Sequence, residues 1–523
     1  MGSNYNRQII KQCEEQTLTI EKLKANNLNL QVENRVLSKE VLSLHNRLYD
    51  LEKTLEARIE AAVAKNVEMA TAPLYAQIAE RDAEITKLKA IINKDSSNSS
   101  KPPSTDGLGK KVPNNREKSD RKAGGQPGHK GHTLEVPNNL PELAEQGKIQ
   151  FRIEDHTNGA TDYVVSYTVG FEISVIWTEH RHLPGNRVTY VQYDSSVKAL
   201  SVLLVEAEFV SIERTAEILE LLSNGQIAPS AGTIRNFIEE SAAGAITRYL
   251  EIRQEILNSE IINTDETPVR STERLETDDS GQQTLETAKG KTFNIFIRVY
   301  STVKAAFFTL NAHKGDAGIL SDGILALFFG ILCHDHDSKL YKYGTEHGIC
   351  NAHLLRNLRG LVQLWRISWA EKFRTLLLEM NEYKKADIAS SKSFPNGCGQ
   401  AAYENFSELW DTLVQEGAAE LAQMPEKSLG YDELRKMVAR LTKYKAEHML
   451  FLKNYAVPFT NNLAERDLRH CKTKQKVGTS FRSWNGAMNY VVIWSIIAAA
   501  KKQGDNILQA VAATFADRSS YLT

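Results

Sequence analysis

The sequence predicts a multidomain, mainly α-helical protein with an α/β catalytic core, and three observations carry that prediction. A leucine heptad occupies residues 18–58. Two short apolar runs, Glu260–Pro268 (EIINTDETP) and Gly330–Tyr341 (GILCHDHDSKLY), each lead into an acid. A third stretch, Phe459–Ser483, reads as a helix with an internal Glu that runs into a cluster of Lys and Arg. Acids that hold divalent metal beside bases that hold phosphate are what phosphoryl transfer on nucleic acid requires.

Bulk composition sets looser bounds. A chain of 523 residues holds two to four domains and buries a large core. Its net charge of -1 does not point to nucleic acid, so a local excess of base must carry that argument. The five cysteines are scattered and odd in number, which argues against a disulfide framework. No apolar run approaches the roughly 20 residues that span a bilayer. The N-terminus is polar from the start. A cytoplasmic protein with no membrane partner is expected.

Residues 1–93 are expected to form a coiled-coil dimerisation segment. Leu23, Leu30, Leu37, Leu44 and Leu51 recur every seven residues, and Ile20, Asn27, Asn34, Val41, Leu48 and Leu55 fill the companion seam. Leu on one seam with Asn twice on the other is the mark of a parallel two-stranded coiled coil, because a buried Asn trades stability for register. A helical hairpin packed on the protein body fits the same pattern, but five leucines in register are long for one. Pro73 interrupts the heptads, and Ile78, Ile85, Leu88 and Ile92 restart them.

Residues 94–134 read as a basic flexible linker, rich in Ser, Pro, Gly, Asn and Lys and almost free of apolar side chains. Lys110, Lys111, Arg121, Lys122 and Lys130 suit either a solvated tether or an arm that neutralises DNA phosphates, and the two are compatible. Residues 135–195 are expected to form a small β unit, because Tyr163–Val169 and Phe171–Trp177 alternate apolar and polar positions around Gly170. Residues 196–255 turn helical. Ser211–Leu222 and Ser230–Glu240 across Gly225 and Pro229 allow a helix-turn-helix. The second helix carries only Arg235 as a base, so a structural layer is the preferred reading.

The pattern becomes α/β over residues 256–523. Glu260–Thr264 reads as a strand ending at Asp265, Lys291–Tyr300 and Ala305–Leu310 as two more strands, residues 315–328 as a helix, and Gly330–His334 as a buried strand ending at Asp335. By analogy, this is the element order of the ribonuclease-H-like fold, in which the two acid-bearing strands lie side by side. A third carboxylate then comes from a helix. Asn461–Arg469 begins one, with Leu463 and Leu468 inward, and Glu465 is preferred because Asp467 lies nearly opposite it. Arg466, Arg469, Lys472, Lys474, Lys476 and Arg482 suit the DNA backbone beside a scissile phosphate.

Several motifs in one order carry a resemblance. They are Thr264-Asp-Glu-Thr-Pro, Gly330-Ile-Leu-Cys-His-Asp, Cys350-Asn-Ala-His with Arg356, Asn461-Asn-Leu-Ala-Glu-Arg, and Lys476-Val-Gly-Thr-Ser-Phe-Arg-Ser with Gly486-Ala. Upstream stand Asn98-Ser-Ser-Lys-Pro-Pro-Ser and Gly124-Gly-Gln-Pro-Gly-His-Lys-Gly-His. From residue 95 to the end the chain resembles transposases of the insertion sequence 66 family, a group of DDE transposases. The resemblance implies that Asp265, Asp335 and Glu465 form the DDE triad, with a helical insertion over about 360–455. It implies a homodimer or higher assembly acting on element ends and target DNA, with accessory transposition proteins as further partners. As metal, two Mg²⁺ (or Mn²⁺) ions held by the three carboxylates are expected.

Two departures stand out. Relatives often carry a Cys-rich ribbon after the Gly-Gln-Pro-Gly-His segment, whereas residues 133–200 contain no cysteine. A glycine commonly follows the second Asp, whereas this chain has His336 and then Asp337, an alternative ligand. Cys333, His334, His336, Cys350 and His353 match no standard ribbon spacing, so zinc is not expected. Cys350 and His353 are instead placed on a first helical turn, one buried and one shaping the active-site wall. The rival functions are a coiled-coil DNA-binding regulator and a nuclease of the same fold that cuts without joining.

Overall fold

A computed structural model describes residues 77–99 without 79 and 83, 135–181 without 171, and 191–515 without 278–281, 392–394 and 427. The heptad residues Leu23, Asn27, Leu30, Asn34, Leu37, Leu44 and Leu51 lie outside the described residues, as do Lys110, Lys111, Arg121, Lys122 and Lys130. The described residues fall into two compact units. Among them no helix is long and apolar enough to cross a membrane.

The smaller unit, residues 135–181 and 218–228, departs from expectation. It contains the short helix α1 (Leu140–Glu145), but its described residues over 151–181 form no strand. The alternation of side chains is real, yet Val164, Val169, Ile176 and Trp177 stay largely exposed. A strand pattern becomes a sheet only when a partner supplies hydrogen bonds and a layer covers the apolar face, and among the described residues no such layer covers these side chains.

The larger unit is mostly helical around one mixed sheet. It begins with α2 (Ser195–Glu206), whose N-cap Asp194 accepts from the Ser196 and Val197 amides. Helix α3 (Ile212–Leu222) follows and runs on into the smaller unit's residues, and then come α4 (Ala231–Gly244) and α5 (Ile246–Leu257). Ser230 caps α4 through the Thr233 amide at 3.1 Å. The apolar face of α4 (Ile234, Phe237, Ile238) is buried in the main core, as a structural layer requires.

The strands are β1 (Ile261–Ser271), β2 (Glu273–Thr277), β3 (Gln283–Thr287), β4 (Phe293–Ser301) and β5 (Ala306–Asn311). After α6 (Asp316–Asp322) come β6 (Ile331–His334) and β7 (Glu346–Ile349). Five of them order as β5-β4-β1-β6-β7, and β2 and β3 form a separate hairpin. β4 and β5 run antiparallel to their neighbours, while β1, β6 and β7 are parallel. This is a mixed five-stranded sheet within an α/β core. The hairpin and β7 are additions to the expected elements, and α6 is shorter than expected because Gly323 (φ 62°) ends it in a left-handed turn.

One strand boundary corrects the sequence reading. β1 does not stop at Asp265 but continues to Ser271, because β4 pairs it throughout, as far as Ser271 opposite Phe293. Pairing with β6 ends at Asn263, so the far half of β1 is an edge on that side. A proline such as Pro268 is tolerated there.

Five helices follow: α7 (Asn351–Trp365), α8 (Trp369–Ser390), α9 (Gln400–Gln423), α10 (Tyr431–Lys443) and α11 (Lys445–Lys453). They share a core built on Trp369, Phe373, Trp410 and Phe451 that also takes in Ile331 and Cys333 of β6. These helices are thus fused to the sheet, and the first of them starts at Asn351. Last come α12 (Asn462–Gly478), α13 (Trp484–Gln503) and α14 (Ile507–Ala512). α13 is buried along most of its length and closes the core over β4 and β5.

Candidate active site

Parallel pairing brings the first two acids together. Asn263 of β1 sits opposite Cys333 of β6. Two residues on from each are Asp265 and Asp335, and the alternation of a strand places them on one face of the sheet. The chain turns sharply after Asp335, because His336 has φ 74°. That left-handed backbone favours glycine, the residue that the resemblance led us to expect there. The His336 ring is held by the Tyr341 hydroxyl at 2.7 Å and packs on Tyr444, contacts that offset its backbone strain.

The third acid is delivered by a clamp. Asn461, fully enclosed before α12, donates from Nδ2 to the Thr264 carbonyl at 2.8 Å. Its Oδ1 accepts from Asn263 Nδ2 at 2.8 Å. Both bonds tie the start of α12 to β1 beside Asp265, and Glu465 follows in the first turn. Asp467 faces elsewhere, paired with Lys502 at 2.6 Å and accepting from Ser301 Oγ at 2.7 Å. Leu468 is buried as expected, whereas Leu463 is only half-buried, and Ala464 and Cys471 complete the inward face.

The three carboxylates share one electrostatic neighbourhood. Burial and then the neighbouring Asp335, with a smaller push from Glu465, raise Asp265 to about 7 against the pull of the Glu266 amide on Oδ1. Asp335 keeps an open side toward solvent, but crowding by protein atoms and the Asp337 carboxylate lift it above the usual range. Glu465 is raised by burial, opposed by Arg356, and raised again by Asp335. Neither Asp265 nor Asp335 has an ion-pair partner among the described residues. Asp337, the alternative ligand, instead accepts from the Lys339 amide at 3.0 Å. Glu266, on the opposite face of β1, is neutralised by Arg298 at 2.5 Å, and Arg298 also meets Asp322 at 3.1 Å.

The expected DNA-contacting bases divide in two. Arg466, Arg469, Lys472, Lys476 and Arg482 are exposed. Lys472 donates to the Pro268 carbonyl at 3.1 Å within electrostatic reach of Asp265. Lys474 is a correction: it turns inward to pair with the buried Glu206 and lies over the Tyr490 ring. A cation that neutralises a buried carboxylate is not available to DNA.

His353 stands in the first turn of α7, as expected, whereas Cys350 is the residue that precedes the helix, Cys350 buried and His353 largely so. Burial pushes the Cys350 thiol up to about 11, and burial with nearby Arg356 holds His353 down to about 4. Cys333 packs in the insertion core and His334 contacts His347 at 3.3 Å, so neither joins them. The Asn263–Asn461 clamp is the functional feature that sequence reasoning missed. Its only signal was a pair of polar residues where apolar ones belong, Asn263 inside an apolar strand and Asn461 before the helix.

The sequence profile of the Transposase IS66 family matches residues 191–489, which contain all three acids. Residues 6–135 match a family of unknown function, DUF6444. An uncharacterized protein, y4jO, of Sinorhizobium fredii (strain NBRC 101917 / NGR234) is 23% identical over 224 residues, 42% of this chain. That match spans 60% of the relative's length. With more than half of its length covered by that profile, the chain belongs to the IS66 family of transposases.

Proposed function

We propose that this protein cleaves transposon ends and joins them to target DNA by metal-dependent phosphoryl transfer, with Asp265, Asp335 and Glu465 as a DDE triad in a ribonuclease-H-like core. The observation that carries the reading is that three carboxylates, from β1, the end of β6 and the first turn of α12, lie within electrostatic reach of one another, each raised by its surroundings. The strand order β5-β4-β1-β6-β7, with β4 and β5 antiparallel, supports the fold assignment.

The donor set fits a hard divalent cation. It offers carboxylate oxygens only, and their mutual repulsion is the strain that a cation relieves. Bound Mg²⁺ or Mn²⁺ would supply activation of a water or 3′-hydroxyl oxygen and stabilisation of the departing oxygen. The chain's own residues supply the rest. The clamp at Asn461 holds Glu465 toward the sheet, Lys472 places a positive charge at the edge of the acids, and Arg469 and Arg482 offer phosphate contacts along the same helix and its exit.

The test uses labelled element-end DNA, supercoiled target and Mg²⁺. Asp265→Asn, Asp335→Asn and Glu465→Gln keep shape and lose charge, so each is expected to abolish cleavage and transfer while end binding persists. Near-wild-type activity from any of the three removes that residue from the triad. Cut ends without joined product would instead identify a nuclease.

A further inference from the structure

Beyond the triad's hard-metal reading, with which it shares the Glu465 carboxylate, we infer that Cys350, His353 and Glu465 form a binding site for a zinc-class divalent ion. The sulfur, nitrogen and oxygen they offer all lie within 4.8 Å of one another. His353 Nδ1 stands 4.0 Å from Glu465 Oε1, too far for a hydrogen bond. Both atoms are buried, and neither has a hydrogen-bond partner among the described residues. A nitrogen and a carboxylate oxygen left facing each other across such a gap each carry an unrecovered desolvation cost. A cation between them removes both costs.

The frame is rigid on both sides. Cys350 caps the N-terminus of α7 and His353 lies in its first turn, so one helix start carries both. The Cys350 amide donates to the His334 carbonyl at 2.9 Å and the Asn351 amide to the Phe459 carbonyl at 3.1 Å. Glu465 is held by the Asn461 clamp described above. Zinc bonds of about 2.0–2.3 Å need tetrahedral ligand atoms roughly 3.3–3.8 Å apart, so a cluster spread over at most 4.8 Å closes on an ion by about 1.5 Å or less.

Ligand chemistry selects the ion. A thiolate and an imidazole suit zinc or cobalt and are poor partners for magnesium. Thiolate, carboxylate and neutral imidazole together carry two negative charges, which balance a divalent cation. The Cys350 thiol releases its proton to solvent as the metal–sulfur bond forms, and no redox change is involved. Three protein ligands leave a fourth position open. The expectation that zinc is absent rested on ribbon spacings toward Cys333, His334 and His336; the carboxylate that completes this set comes from 112 residues downstream of His353, where no spacing rule reaches.

The test needs no DNA and no turnover. Full-length protein dialysed against micromolar Zn²⁺ is expected to retain about one equivalent by elemental analysis. Replacement with Co²⁺ is expected to give a near-ultraviolet thiolate-to-metal band. Cys350→Ser should abolish that band and His353→Gln should lower retention at least tenfold, while Asp265→Asn, which disables only the triad, should leave both unchanged. Far-ultraviolet circular dichroism checks that the variants fold, and the Co²⁺ spectrum of the unaltered protein decides the matter if they do not. No retained metal, or a Co²⁺ spectrum without a sulfur band, overturns the site even if the transposition chemistry stands.

Discussion

Asp265 is kept half-buried beside two other acids, and the cost of that placement sets a measurable pH dependence. Its folded pKa of about 7 lies above the usual carboxylate range. Between about pH 4 and 7 the folded chain therefore holds a proton that the unfolded chain has lost. Stability of the metal-free protein is expected to fall as pH rises through that window. Melting curves across the range check this, and Mg²⁺ should recover the loss at neutral pH. Asp265→Asn removes the charge and is expected to raise metal-free stability at pH 7.5 by about 1–2 kcal/mol, the usual exchange of activity for stability. Asn461→Ala has the opposite character. It strips a donor from the enclosed Thr264 carbonyl and a partner from Asn263, costing about 1–3 kcal/mol. Because it also frees Glu465 from its frame, transfer should fall tenfold or more even below the melting temperature.

At the scale of elements, α12 does three jobs with three faces. Its buried face (Ala464, Leu468, Cys471) packs on the core, its first turn delivers Glu465, and its exposed side presents bases. Lys474 breaks the pattern by crossing to Glu206 of α2. Lys474→Ala is expected to cost about 3 kcal/mol by leaving that carboxylate buried and unpaired, read by chemical denaturation. Lys472→Ala and Arg482→Ala should instead leave stability within about 0.5 kcal/mol, weaken DNA binding across all sequences, and lower the salt slope by about 1 each. Helix α7 carries a second element-level constraint. Gly360 lets the Asn98 backbone approach so closely that an added Cβ would overlap its carbonyl, while Ser96, Asn98 and Ser99 are buried. Gly360→Ala is expected to release the segment over 94–99 and to speed tryptic cleavage after Lys94.

For the whole molecule, the function proposed above would call for two chains on two transposon ends, and the heptads of residues 18–58 are the part of the sequence proposed to pair them. Removal of residues 1–93 is expected to give a monomer by light scattering and to impair paired-end assembly. A truncated protein that still dimerises assigns pairing to another surface. The insertion bears on assembly of the site as well, since its core is continuous with Ile331 and Cys333 of β6. Cavities cut there, as by Phe373→Ala, should therefore reach Asp335 as well as cost about 3–5 kcal/mol.

What could be read along the chain was local: apolar runs ending in acids, a helix with Glu465 on one face and Asp467 on the other, and the order of β1, β4, β5, α6 and β6. Such features depend on neighbours within a few residues, so periodicity and residue type suffice. The length of β1 past Asp265, the start of α7 at Asn351, the inward turn of Lys474 and the absence of strands among the described residues of 151–181 were not legible. Each depends on whether a distant segment supplies a hydrogen bond, a counter-charge or a covering face. The same reason separates the two parts of the site. Asp265 and Asp335 announced themselves as charges at the ends of apolar runs, but only the fold brought Asn461 to the Thr264 carbonyl and set Glu465 against His353, because long-range contacts are chosen by packing and leave no period in the sequence.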